Sequence, residues 1–381
     1  MSGSALPDWK AVRAEFPALA NWTFLNTATY GQLPRQATEA VARHFQHRDE
    51  LACMDFLDWF DEMDQIRDAV ARLIHCSADD VAFIGNAATA LGLLMTGLEW
   101  KSGDQVISLE NEFPNNLYWP SLLRASGVEF IETAWSELYD RLTDRTRLVL
   151  VSSVNYSTGF RVPLVELGPV LRKRGILFYV DGTQSVGALE FDTQAVQPDM
   201  LAVHGYKWLI SPNGAGFVYV RKSLRDRLKP NVVGWRSHKD WRRVDSLHHG
   251  SPEFVSAAEK YEGGMLNFPS LYGMGASLEM VLGLGPAVVE ARVMELARKC
   301  AAVLREFGGE VDGVESPIVM ARFPGVDVSM MARALKEKKV LVSARHGRLR
   351  VSTHFYNDES DLGVLAEAIR EEVRSQPISH R

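Results

Sequence analysis

A lysine amine is a nucleophile toward a carbonyl carbon only when it is neutral, and burial is what keeps it neutral near pH 7. Lys207 sits in His204-Gly205-Tyr206-Lys207-Trp208, directly after the apolar run 200–203. That placement predicts a lysine among aromatic neighbours at the end of a buried strand. The competing expectation for any single lysine is a buried stem with a solvated head. His204 and Tyr206 add donors that suit a phosphate.

Asp181 ends a second apolar run, 176–180, and Gln184 follows three residues later. A carboxylate at the carboxyl edge of a buried strand is costly unless a cation or several donors meet it. A protonated ring nitrogen would be such a partner, and the pair would make the ring a better electron sink. Gln184 is placed to donate to a phenolic oxygen on the same ring. The plainer expectation for Asp181 is a cap for the turn that starts at Gly182. A third element is Phe83-Ile84-Gly85-Asn86-Ala87-Ala88-Thr89, where a strand gives way to a helix at small residues. Free amides at a helix start bind anions, and Thr89 adds a hydroxyl. An ordinary capped junction would have the same sequence pattern.

These residues need a frame. Runs rich in β-branched and aromatic residues predict strands at 81–85, 105–109, 128–133, 148–154, 176–180, 200–203 and 216–220. Helices are expected at 57–74, 88–98, 115–126 and 164–174. Strands joined by helical crossovers imply an α/β fold, a mainly parallel seven-stranded sheet with helices on both faces. Ligands of such sheets sit at the carboxyl ends of the strands, where Lys207 and Asp181 fall. After Gly263 the pattern changes to a long helical region, 272–307, broken at 283–286. A strand (318–323), a helix (329–338), two strands (340–344, 348–353) and a last helix (361–373) follow. The expected division is an N-terminal arm (1–20), a large domain (21–262) and a smaller C-terminal α+β domain (263–381).

With 381 residues the chain exceeds one typical domain. A net charge of -6 argues against a nucleic-acid partner. No apolar run suits a membrane span, and the first residues lack the blocks of a signal peptide. Cys53, Cys76 and Cys300 stand far apart, which fits a reducing cytoplasm and gives no thiol metal site. His44 and His47, three apart on an expected helix, are read as surface residues rather than a metal site. Dinucleotide, P-loop, zincin and α/β-hydrolase motifs are missing.

The chain order of these features, from helix start through Asp-x-x-Gln to a lysine before a glycine-rich strand, resembles the class V aminotransferase family. The likeness runs from Phe24-Leu25-Asn26-Thr27-Ala28 to Arg350-Val351-Ser352-Thr353-His354-Phe355-Tyr356-Asn357. Its most specific parts are 180–188 and 204–216. The resemblance implies the type I fold of pyridoxal 5′-phosphate (PLP) enzymes, an amino-acid substrate, and a homodimer with active sites between subunits. It implies Lys207 as Schiff-base lysine and proton shuttle, Asp181 on the pyridinium nitrogen and Gln184 on the phenolic oxygen. Ala87, Ala88 and Thr89 would hold phosphate, helped by His204 and Tyr206. Phe113 would stack on the ring. Arg350 would clamp the α-carboxylate, a task suited to a bidentate fork, with a surface strand arginine as the plain alternative.

Three departures matter. Cysteine desulfurases of the family carry a nucleophilic cysteine shortly before the clamp arginine, and a histidine where Phe113 stands. Here 342–350 is short and has no cysteine, so persulfide-forming desulfuration is not expected. Met265 occupies a position where many members have a threonine that reaches the partner subunit's phosphate. Tyr156 stands where many have asparagine, so either Asn155 or Tyr156 is expected in the substrate pocket. Arg236 is read either as recognising a second acidic group or as solvated in the basic run 236–243. His248 and His249 are read as surface histidines.

The function expected is chemistry at the α-carbon of an amino acid. Transamination stands first, on the family label. Epimerisation like that of isopenicillin N epimerase, or C–S β-elimination, is the alternative. A non-catalytic PLP-binding protein is the reading from another class. The presence of both Lys207 and Arg350 argues against it, because a mere binder needs no carboxylate clamp.

Overall fold

The computed structural model describes residues 6–375. The first five residues of the expected N-terminal arm and the last six of the expected small domain lie outside the described residues.

All seven expected strands form, and they join one sheet. Its order is Val81–Ile84, Gly216–Val220, Met200–His204, Leu177–Asp181, Thr146–Ser152, Gln105–Leu109, Glu129–Thr133. Only Gly216–Val220 runs against its neighbours. Residues along a strand alternate between faces, and this sheet has an apolar core on each. Phe178, Val180, Val149, Val151, Leu201 and Val203 join one core, with Phe60, Met63, Val70 and Leu167 from the covering helices Asp58–Ile74 and Leu164–Lys173. Leu177, Tyr179, Leu148, Leu150, Met200 and Ala202 join the other, under Leu91 and Leu94 of Ala87–Gly97. Asp181 continues the parity of Leu177 and Tyr179, so its carboxyl emerges on the face covered by Ala87–Gly97.

The helical region after Gly263 is two helices, Phe268–Leu284 and Pro286–Glu306, broken at Gly285 (φ 86°) as expected. A three-stranded antiparallel sheet follows, ordered Ser343–Arg345, Arg348–Ser352, Ile318–Ala321. The single strand expected at 340–344 is two: Val340–Leu341 pairs parallel with Thr23–Phe24, while Ser343–Arg345 joins the hairpin. A third core unites Leu25 with Leu304, Leu335, Leu349 and Leu365.

The 17-residue helix Arg35–Leu51 is the one expected to carry His44 and His47, although the sequence pattern set no bounds for it. It buries only Ala37, Ala40 and His44, too little apolar surface to mark a stripe.

Candidate active site

Five chain segments line one cavity at the carboxyl edge of the sheet. The strand Leu177–Asp181 delivers Asp181, 6% exposed, whose Oδ1 accepts from the amide of Thr183 at 2.9 Å. The turn cap and the buried site carboxylate are therefore the same residue. Burial raises the carboxyl above its ordinary value, against the opposing pull of Thr183 and the Lys207 charge. A cation placed against it would recover that cost.

Lys207 follows the strand Met200–His204 and is 7% exposed. Burial lowers its amine from 10.5 to about 8, with Asp181 opposing and Arg350 and Arg345 assisting. The amine lies 5.6 Å from the centre of the Phe113 ring and 5.4 Å from that of Tyr206. Gly31 closes on this loop from the N-terminal segment: its amide donates to Tyr206 O at 2.9 Å, and a Cβ there would stand 1.9 Å from Lys207 O.

Gln184 is held at both ends, donating to Ala28 O at 3.1 Å and accepting from Trp208 Nε1 at 2.8 Å. Phe113 and Tyr156 meet edge to face at 5.3 Å, and both line the cavity with Asp181, His204 and Lys207. Arg350 is 2% exposed, so it is not a surface strand arginine. It donates from Nε to Ser343 Oγ at 3.1 Å, from Nη1 to Tyr156 O at 2.8 Å and from Nη2 to Thr29 Oγ1. These bonds aim a fork from the C-terminal sheet toward the central one.

The helix Ala87–Gly97 opens here with Ala87 lining the cavity. The first-turn amides of a helix have no partner within it, which leaves those of Ala87 and Ala88 to meet an anion. Thr89 behaves differently from expectation: its amide and hydroxyl both donate to Asn86 Oδ1, at 3.0 and 3.3 Å, so the hydroxyl proton serves the cap. His204 lines the cavity with a buried Nε2 that has no partner. Burial and the Lys207 charge lower that imidazole to about 4, so it is neutral near pH 7.

Two expected residues lie elsewhere. Asn155 builds its own turn, with Oδ1 accepting from the amides of Ser157 and Thr158 and from Ser157 Oγ, while Nδ2 donates to Asn111 O. Tyr156, not Asn155, faces the cavity. Arg236 is neither solvated nor in the site. It is 1% exposed, paired with Glu259 and Glu262 and packed over Phe60 and Trp241. His44 is likewise not a surface residue; it is buried against Trp59, Phe268 and Tyr272. No group of metal-ligating side chains occurs among the described residues.

The residues present fit the PLP that the sequence resemblance implies. A buried carboxylate lacks a full cation, an aromatic face lies at Phe113, and an orphaned imidazole nitrogen and free helix amides stand ready for an anion. Residues 25–365 match the family Aminotransferase class-V. The chain belongs to the class V aminotransferase family. A probable cysteine desulfurase of Methanothermobacter thermautotrophicus is 24% identical, covering 94% of this chain and 97% of its own length. Isopenicillin N epimerase of Streptomyces clavuligerus is 27% identical, over 96% and 98%. Among solved structures, a lysine variant of C-DES with glycine covalently linked to the PLP cofactor superposes with a TM-score of 0.87, at 21% identity and 96% and 100% coverage. The fold is therefore that of the PLP-dependent class V enzymes.

Sequence reasoning missed several residues of this class V site. Glu112 is buried beside it, accepting from Ser152 N at 2.7 Å, Ser152 Oγ at 2.5 Å and Asn116 Nδ2 at 3.1 Å. Burial raises its carboxyl, and the nearby Asp181 adds to the effect. The available signal was a polar Ser152 directly after the apolar run 148–151. Thr29 and Ser343 left no signal, because their contacts with Arg350 arise only from the tertiary fold.

Proposed function

We propose that this chain is a PLP-dependent enzyme acting at the α-carbon of an amino acid, with Lys207 as the residue that carries the cofactor and moves the α-proton. The observation that carries the reading is a lysine amine brought to about 8 by burial, in one cavity with a buried carboxylate and an aromatic face. At pH 8 about half of such an amine is neutral, a state able to attack a carbonyl and to accept a proton. Bound PLP would supply an electron sink for the bond broken at the α-carbon. Asp181 would hold the ring nitrogen's proton and Gln184 the phenolic oxygen. Ala87, Ala88 and the neutral His204 would hold the phosphate. Phe113 would cover one face and Arg350 would orient the α-carboxylate.

Transamination is the reaction we assign first, and in it Lys207 would move the α-proton. Epimerisation is favoured as the second reading by Tyr156. Tyr156 lines the cavity on a different element from Lys207, and its hydroxyl sits 3.4 Å from His346 Nε2, so a second proton-bearing group stands beside the cavity. Persulfide chemistry finds no cysteine in the hairpin before Arg350, where the family's desulfurases carry theirs. Cys300 is fully buried, and burial raises both its thiol and that of Cys76 to about 12. The hairpin before Arg350 turns on only His346 and Gly347. A cytoplasmic homodimer is part of the reading, and Met265, 59% exposed, is free to meet a partner subunit.

The test is the visible spectrum of purified protein with added PLP, for wild type and Lys207→Ala. Wild type should gain a yellow band that borohydride removes, leaving cofactor mass on the Lys207 peptide. Absence of that mass would end the assignment. Product analysis with single amino acids then separates keto-acid formation from inversion.

A further inference from the structure

Arg350 is not the only guanidinium whose charge reaches Lys207. The strand Ser343–Arg345 pairs with Arg348–Ser352 so that Ser343 faces Arg350 and Arg345 faces Arg348. Side chains two apart on a strand share a face at about 6–7 Å. Arg345 and Arg348 therefore stand on the same face as Ser343 and the clamp. His346 and Gly347 both adopt positive φ, 47° and 71°, the signature of a tight two-residue turn that leaves the strand ends little freedom.

The two further arginines differ in what occupies them. Arg348 is paired with Asp312 at 2.7 Å. Arg345 is half-buried, donates only to the carbonyl of its neighbour Ala344, at 2.7 Å, and has no ion pair among the described residues. Its charge reaches inward, lowering Lys207 and Arg350 after the larger effect of burial on each. Arg345 and Arg350 thus set two mutually repelling cations near Lys207. One α-carboxylate on Arg350 leaves Arg345 uncompensated.

We propose that Arg345 is a second anion-binding residue, selecting α-amino acids whose side chain ends in a carboxylate or comparable anionic group. The proposal rests on the amino-acid reading of the site given above.

The test is calorimetric titration of the full chain, with and without added PLP, using glutarate and butyrate as probes at low salt. Wild type should bind glutarate at least tenfold more tightly than butyrate. Arg345→Gln should bring that ratio close to one, Arg345→Lys should restore part of it, and Arg350→Gln should weaken both ligands. A wild-type ratio near one, or a preference that survives Arg345→Gln, overturns the proposal. A ratio taken within one protein is insensitive to partial misfolding, which weakens both probes alike, and the lysine variant covers poor folding of the glutamine one. A chain that prefers glutarate but never takes up PLP overturns the cofactor reading and leaves this one standing. Uptake of PLP without the preference does the reverse.

Discussion

The indole of Trp208 donates to Oε1 of Gln184 at 2.8 Å, and that bond sets which way the amide faces. With Oε1 held, Nε2 gives one hydrogen to Ala28 O and keeps the other for a ligand. Trp208→Phe would leave Gln184 Oε1 buried without a donor, at a cost of about 1–3 kcal/mol. It would also free the amide to turn its oxygen toward the ring oxygen it should donate to. PLP affinity is expected to fall several-fold along with the melting temperature. A lowered melt with unchanged PLP affinity would make the bond purely structural.

The lysine itself has a pH signature in the PLP-free protein. Its folded value, about 8, lies below its ordinary 10.5, so between those two values the unfolded chain holds more protons than the folded one. Stability from this group therefore rises with pH across that window, and below about 8 the full penalty of burying a charged amine applies. Lys207→Met removes the penalty. The variant should melt above wild type at pH 7, and the gap should narrow toward pH 10. A gap independent of pH would mean that the amine is not lowered by burial.

Glu112 offers a test of the neighbouring acid. Its carboxyl, raised by burial, accepts three hydrogen bonds from Ser152 and Asn116. Asn116 Oδ1 is buried without a partner. Glu112→Ala deprives a buried Ser152 amide and hydroxyl of their acceptor, a loss of about 2–4 kcal/mol. Glu112→Gln should cost far less. Its Oε1 still accepts from the Ser152 amide, and its NH₂ can donate to Ser152 Oγ once Asn116 turns its oxygen inward. Equal melting losses for the two variants would refute this account.

The sheet and Asp181 at its edge were legible because burial leaves a local mark. Runs such as 176–180 are apolar on both faces, so an acid that follows one falls at the sheet's buried edge. Lys207 was legible for the same reason. Arg236 and His44 were misread because their partners are remote in sequence. Arg236 meets Glu259 and Glu262 more than twenty residues on, and the Phe60 ring far upstream. Nothing in a basic run announces such partners. The strand at 340–344 read as one because its apolar pattern is continuous; only the tertiary pairing with Thr23–Phe24 divides it.

Glu262 ties the remote charges to the site. Its Oε1 accepts from Arg67 Nη1 at 2.7 Å and from the Phe83 amide at 2.8 Å, and Arg236 Nη1 approaches Oε2 at 3.0 Å. Phe83 belongs to the strand that leads through Gly85 and Asn86 into the helix start at Ala87, so this carboxylate anchors the approach to the anion site. Burial would raise Glu262, but Arg67 and Arg236 outweigh it and hold the group below its ordinary 4.5. Glu262→Ala leaves the buried Arg67 with only Asp64, at 3.5 Å, and Arg236 with only Glu259, and should cost about 3–5 kcal/mol. Glu262→Gln keeps the acceptor for Phe83 and should cost less, yet still weaken PLP binding through the helix start. The sign of the pH dependence follows from the lowered value: the charge contribution is complete above about 4.5 and is lost as pH falls through the folded value. The melting gap between wild type and Glu262→Gln should accordingly be level from pH 5 to 7 and close below pH 4.5. A gap that widens in acid would show that the carboxyl is protonated in the native chain and that the two arginines do not hold it ionised.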